Sequence, residues 1–245
     1  ELKSDIPFSG SAIYGQSFPI INKVYDGEKT TGELGVVNRN IPHYLKLRLR
    51  GVDAFVKTDT IKMLTSRRTQ WVIGSGLKLE CEPNKTVLTA NNITLSEDFK
   101  LQVEELWKVY TNSKYVDYEK ERNLQQIASD IYADKFKGGD MLVICIIEDH
   151  GPVVQVVSGE FVERPPTGAE ILKQKGENNN IQHGIELSPR GQHVAYYVKK
   201  QKGLGFDYDR IPAFGDKSKR RLAWMVYAQK LTSDQKRGVP EFSQV

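Results

Sequence analysis

Four carboxylates stand around one apolar run, and of all the side chains in the chain they come closest to a catalytic arrangement. Asp140 precedes Met141–Ile147 (MLVICII), Glu148 and Asp149 follow it, and Glu160 comes soon after. Carboxylates so placed could hold Mg²⁺ for phosphodiester cleavage. On an extended strand, however, Asp140 and Glu148 stand about 26 Å apart, so a shared ion would need Asp149 and Glu160 brought together by a hairpin. No lysine stands at a matching spacing, and the expectation is turn carboxylates rather than ligands. The four histidines, His43, His150, His183 and His193, are scattered in or beside turns without metal-ligand spacing. Cys81 and Cys145 lie far apart and read as free thiols, Cys145 as a small buried hydrophobe inside the apolar run. This cysteine usage fits a reducing compartment. There is no Gly-x-Ser-x-Gly elbow, no phosphate loop and no Cys/His pair. Catalytic, cofactor-binding and metal-binding residues are therefore all expected to be none, and the chain is read as no enzyme.

Composition is that of a globular chain, slightly polar. In 245 residues, 39% are hydrophobic and 27% charged, with mean hydropathy −0.48. That is enough apolar chain for a sizeable core. No apolar run approaches the ~18 residues of a membrane-spanning helix, and the start at Glu1 has no signal-like segment. The net charge of +4 is unevenly spread. Arg39–Arg68 holds eight Lys/Arg against Asp53 and Asp59, and Tyr196–Val245 holds eleven against five acids. Such segments suit a solvated face or a phosphate backbone. A nucleic-acid-binding module is the second reading, and a metal-dependent nuclease the third.

The elements that must position these residues follow from periodicity. Residues 1–38, rich in Gly, Ser, Thr and Asn, read as an extended arm. Asn40 or Pro42 opens a helix with Leu45, Leu49, Val52 and Val56 as its apolar face, and a second helix runs from Thr58 to Ile73 through Ile61, Leu64 and Trp71. Gly74-Ser75-Gly76 reads as a helix C-cap before a strand, Leu77–Cys81. The sequons at Asn84 and Asn92 are taken as chance. Ser96 caps a helix with Phe99, Val103, Leu106, Trp107 and Tyr110 on one side. Asp117 caps the next, with Leu124, Ile127, Ala128 and Ile131 inward and Lys135, Lys137 and Gly138-Gly139 at its close.

The pattern then changes to strand. Met141–Ile147 reads as a central strand buried on both faces, paired with Val153–Val157 through a turn at Glu148–Pro152. Glu160–Val162 starts a third extended piece. Residues 167–182 read as an exposed loop. Gly184–Leu187 and His193–Val198 form a second hairpin around Ser188-Pro189-Arg190-Gly191. Residues 203–205 and Lys217–Arg221 fall in a basic loop. The final strand is Met225–Ala228, followed by a polar loop with a Ser233-Asp234 turn, a turn at Gly238 with positive φ, and a helix start at Pro240. The fold class is α+β: N-terminal helices followed by a mainly antiparallel sheet of hairpins.

Gln235-x-Arg237-Gly238-Val239-Pro240, one loop after a strand, resembles the QxRGxP signature of lambda-type tailed-phage portal proteins. In order before it, the segment at Val72–Leu77, GGDMLVICII, VVSGEFVERPP, HGIELSPRGQHVAYYV and RIPAF resemble successive pieces of that family over residues 39–245. The chain departs in its Lys/Arg-rich stretch 217–221 and in having Val226 and Tyr227 where the family often places a histidine. The resemblance implies that 39–245 is an α+β wing-like body that continues after Val245. It implies a structural subunit of a homo-oligomeric ring, usually twelve copies, at the capsid vertex. Double-stranded DNA passes through that ring during packaging and ejection, and terminase, capsid and head-tail connector proteins dock on it. The implied location is the virion capsid vertex, with the host cytoplasm during assembly, no membrane contact and no cofactor; the ATPase is the separate terminase.

Overall fold

The structure, a computed structural model, describes residues 41–166, 169, 171–172, 180–202, 205–228, 230 and 235–244, with side chains from Leu47 to Phe242. The arm expected over 1–38, the Ser233-Asp234 turn and most of the 167–182 loop lie outside the described residues.

Helices come first and antiparallel sheet after, as the patterning predicts. The helices are α1 (Ile41–Lys57), α2 (Asp59–Val72), α3 (Lys85–Ala90), α4 (Phe99–Asn112) and α5 (Leu124–Lys137). The strands are β1 (Asp140–Glu148), β2 (Gly151–Ser158), β3 (Asn180–Gln182), β4 (Ile185–Leu187), β5 (His193–Lys202), β6 (Gly205–Pro212) and β7 (Ala223–Tyr227). They form two sheets, ordered β2-β1-β7 and β3-β4-β5-β6.

Strand β1 is central, as expected, and runs antiparallel to both neighbours. A two-residue turn, Asp149-His150, joins it to β2. It is buried on both faces only over Leu142–Ile144. Beyond that point β7 no longer pairs with it, and Ile147 is 69% exposed. Leu142 and Ile144 meet Ile185, Leu187 and Tyr196 of the second sheet in a shared core with Ala223 and Met225. Cys145 is half-buried, and burial pushes its thiol up from the ordinary range. A smaller core joins helices: Ile61, Phe136 and Phe242, with Phe136 and Phe242 stacked at 5.5 Å.

Several expectations are corrected. The inward side of α1 carries Leu47, Arg48, Gly51, Ala54 and Phe55, whereas Leu49 is 68% and Val56 61% exposed. The predicted stripe was apolar by composition, but packing chose the side that brings Arg48 inward. Leu77–Cys81 forms no strand: the Leu77 carbonyl accepts from Trp107 Nε1 and the Cys81 amide donates to Glu104, so side chains of α4 take the groups a ladder would use. Gly74 and Gly76 do sit at positive φ after α2. Asp98 rather than Ser96 stands at the start of α4. Asn123, in a capping box with Gln126, replaces Asp117 at the start of α5. Asn84, one of the two sequon asparagines, caps α3.

The extended piece at Glu160–Val162 is instead a 3₁₀ turn, Gly159–Phe161, followed by a single bridge from Val162 to Val198. Strand β6, eight residues paired along β5, is not among the elements that the patterning predicts; only its first residue, Gly205, falls in the expected basic loop. The helix start after Pro240 is a 3₁₀ turn, Glu241–Gln244.

Candidate functional site

The QxRGxP residues lie inside the molecule. Gln235, Arg237, Gly238, Val239 and Pro240 are all buried. Arg237, 4% exposed, meets Asp140 at the start of β1 in a two-pronged pair. Nε donates to Oδ2 at 2.6 Å and Nη2 to Oδ1 at 3.1 Å. The remaining Arg237 N–H groups donate to the carbonyls of Val162 (2.7 Å), His183 (3.0 Å) and Gly159. The Gly238 amide also donates to Asp140 Oδ2, at 2.9 Å. Gln235 Nε2 donates to the Arg237 carbonyl at 2.6 Å, bracing the loop that delivers the guanidinium.

A second arginine enters from α1. Arg48 Nη1 lies 3.5 Å from Asp140 Oδ1 and donates to the Gly138 carbonyl at 2.7 Å. Its Nη2 donates to Ser158 Oγ at 2.6 Å and to Asp134 Oδ2 at 3.4 Å. Two guanidinium groups thus face two carboxylates, so the buried charge is balanced. Burial pushes the Asp134 carboxyl up, against the pull of Arg48 and Lys137. Burial and Arg237 hold His183 down to about 4, so it is neutral at pH 7.

Backbone space is tight around this knot. Gly139 sits at φ +86°, and a Cβ there would stand 2.7 Å from the Pro240 nitrogen. Gly238 was expected at positive φ, but its requirement is space: a Cβ would fall on the Gly139 carbonyl oxygen. The motif therefore plugs the junction of α1, α5 and β1. Charge burial of this kind needs every donor matched. The fork of Arg237 achieves that here, and a lysine could not.

Two further buried carboxylates follow the same pattern. Glu186 accepts from Arg210 Nε (2.8 Å) and Nη2 (3.1 Å) and from the Tyr197 hydroxyl (3.0 Å). Burial and Glu186 push the Tyr197 hydroxyl up to about 12. Asp117, read as a helix cap, is fully buried and paired with Arg122 at 3.0 Å. Hydrogen bonds from the Arg122 side chain and backbone outweigh the opposing effect of burial and hold its carboxyl below the usual range.

The carboxylates weighed for a metal are not brought together. Register places Glu148 and Asp149 at the tip of the β1–β2 hairpin, and Asp140 and Glu160 at its base. Asp140 is enclosed by arginines, and Glu148 lies 3.5 Å from His150. Among the described residues no three His, Cys, Asp or Glu could share an ion. No helix among the described residues is long and apolar enough to cross a membrane.

The first basic segment is largely used for structure. Arg48 is buried, Lys57 and Lys62 pair along their helices with Asp53 and Asp59, and Arg68 pairs with Glu241. Among their charged side chains the helices also present apolar ones outward. Leu49, Val52 and Val56 of α1, Met63, Leu64, Trp71 and Val72 of α2, and Leu101, Leu106 and Val109 of α4 are all exposed. Trp71, at 80%, is the most open of them.

A comparison with curated proteins finds no match. Residues 34–245 match the family model described as phage portal protein, lambda family. That stretch includes the knot and both sheets, and the chain belongs to the lambda family of phage portal proteins.

Proposed function

We propose that this portal protein is the subunit of a closed ring at the capsid vertex, of about twelve copies as the family resemblance implies. In this reading the ring is the conduit for double-stranded DNA in packaging and ejection, and the platform on which terminase and the head-tail connector dock. The subunit catalyses nothing and carries no cofactor, and assembly takes place in the host cytoplasm. Residues 39–245 act as the wing-like body of the subunit.

The observation that carries the self-assembly is the pair of uncovered apolar helix surfaces with opposite rims. A ring needs two different surfaces of one chain that fit each other, and exposed apolar area of this extent marks an interaction site. Apart from the buried Arg48, the α1–α2 stretch, 41–72, holds six Lys/Arg against two acids, while 97–112 at α4 holds four acids against two bases. A basic-rimmed apolar surface facing an acidic-rimmed one is complementary in both respects. The test is native mass spectrometry with negative-stain microscopy of the portal protein as the phage makes it. Closed rings are expected, and the Leu49→Glu/Val56→Glu variant is expected to remain as folded single subunits. Rings that form equally well in the variant would remove α1 from the contact, and a parent that never forms rings would remove the ring.

A further inference from the structure

Where the β4–β5 turn, the segment after β6 and strand β7 meet, there is a cavity of about 370 Å³. His193, Phe214, Arg221, Trp224, Tyr227 and Lys230 line it. Lys236 brings its Nζ to the rim, close to Gly191. Arg221 is oriented by donating to the Tyr196 hydroxyl and the Ala223 carbonyl, each at 3.2 Å. The Tyr196 hydroxyl meets His193 Nδ1 at 3.1 Å. Lys230 Nζ stands 4.1 Å above the Tyr227 ring.

The electrostatics of this pocket differ from the rest of the molecule. The inward-turned arginines Arg48, Arg122, Arg210 and Arg237 each have a carboxylate. Among the described residues, Arg221, Lys230 and Lys236 have none within ion-pair distance. Burial and then these same three cations hold His193 down to about 4, while burial and Lys236 hold Lys230 below its ordinary range. Cations converging on a partly desolvated hollow repel one another, and an anion in the hollow reverses the sign of that term.

We propose that this pocket binds a phosphate group, held by Arg221, Lys230 and Lys236 and flanked by the aromatic walls Phe214, Trp224 and Tyr227. Three donors of positive charge suit a group with several acceptor oxygens and up to two negative charges. Aromatic walls beside cations are also the combination that accepts a nucleotide of a single strand, base on ring and phosphate on cation. The source is a nucleic-acid backbone or a free phosphate ion, and the chemistry at Arg221, Lys230 and Lys236 is the same for both. The site gives a use to Arg221, the end of the Lys/Arg-rich stretch in which the chain departs from the portal pattern. It rests on this cavity alone and not on ring formation.

The experiment follows thermal unfolding and tryptophan fluorescence at constant ionic strength, titrating inorganic phosphate and, separately, a short single-stranded oligonucleotide. The parent is compared with Lys230→Gln/Lys236→Gln and with Lys217→Gln/Lys219→Gln, whose changes lie outside the pocket lining. Phosphate should raise the parent's Tm saturably, because a ligand of the folded state stabilises it. The Lys230/Lys236 variant should bind roughly tenfold more weakly or worse, having lost two charge-assisted contacts, while the Lys217/Lys219 variant binds as the parent does. Without phosphate the Lys230/Lys236 variant should melt no lower than the parent, since repulsion is removed. Should it fail to fold, Lys230→Gln alone, at an exposed side chain, makes the same comparison. An oligonucleotide that displaces phosphate at lower concentration assigns the site to a nucleic-acid backbone, and phosphate binding without oligonucleotide binding assigns it to the free ion. Phosphate also stabilises proteins generally by exclusion from their surface. An equal, unsaturating rise in all three proteins, or no response, overturns the proposal.

Discussion

At Asp140 two arginines from opposite ends of the chain, Arg48 and Arg237, meet one carboxylate that has no contact with water. Removing one member leaves the others charged, buried and unmatched, which costs far more than the pair contributes as a whole. Asp140→Ala is expected to lower stability by about 3–5 kcal/mol, measured by denaturant unfolding. Arg237→Lys should also be destabilising, because one ammonium cannot serve Asp140 and three carbonyls together. Nothing in the sequence pairs Asp140 with Arg237 across 97 positions. The motif looks like a surface turn because Gly and Pro are turn formers and Arg is mostly exposed in proteins, and only the tertiary contact accounts for its burial. The histidines give a pH test. His183 and His193 titrate at about 4 in the folded chain, below the ordinary 6.5. The unfolded chain therefore takes up their protons first as pH falls. Stability should decline between about pH 6.5 and pH 4 and the histidine contribution should level off below that. The His183→Gln/His193→Gln variant should show a flatter profile in the same window. Equal slopes for both proteins would show that the histidines do not carry it.

At the scale of elements, β1 and α1 mark what patterning can and cannot reveal. A seven-residue β-branched run between glycine and a turn is legible as a central strand, and so are both hairpins it predicts. How far along its length the strand is covered is not legible, because that depends on where β7 stops pairing. Val143→Asp, in the covered half, should cost more than about 4 kcal/mol, since it buries an unmatched carboxylate. Ile147→Asp, on the open end of the same strand, should change stability by no more than about 0.5 kcal/mol. Urea unfolding of the two variants checks the pair, and similar losses would mean that β1 is covered evenly. For α1 the helix was legible and its inward side was not. The apolar stripe Leu49, Val52 and Val56 has helical spacing, yet Gly51 has to lie inward against Lys137 and Pro240, which turns the stripe outward. Strand β6 is not legible in the sequence because Phe206, Asp207, Tyr208 and Asp209 mix charge with aromatics. Its charged side chains are matched across the hairpin by Lys200 and Lys202.

For the whole molecule, the stripe that the chain does not bury is what the proposed assembly rests on. A single subunit gains nothing from exposing Leu49, Val56 and Trp71 to water, whereas a neighbouring copy can cover them. Family membership is shown by the match over residues 34–245, and the two oppositely rimmed helix surfaces are the proposed way for copies to meet. The most direct test is to compare assembly and folding in one variant. The portal protein as the phage makes it, and its Leu49→Glu/Val56→Glu variant, would be examined by native mass spectrometry beside their thermal unfolding curves. Closed rings in the parent, single subunits in the variant and matching melting temperatures are the predicted result. Rings of undiminished yield in the variant, or a parent that stays monomeric at every salt concentration tried, would contradict it.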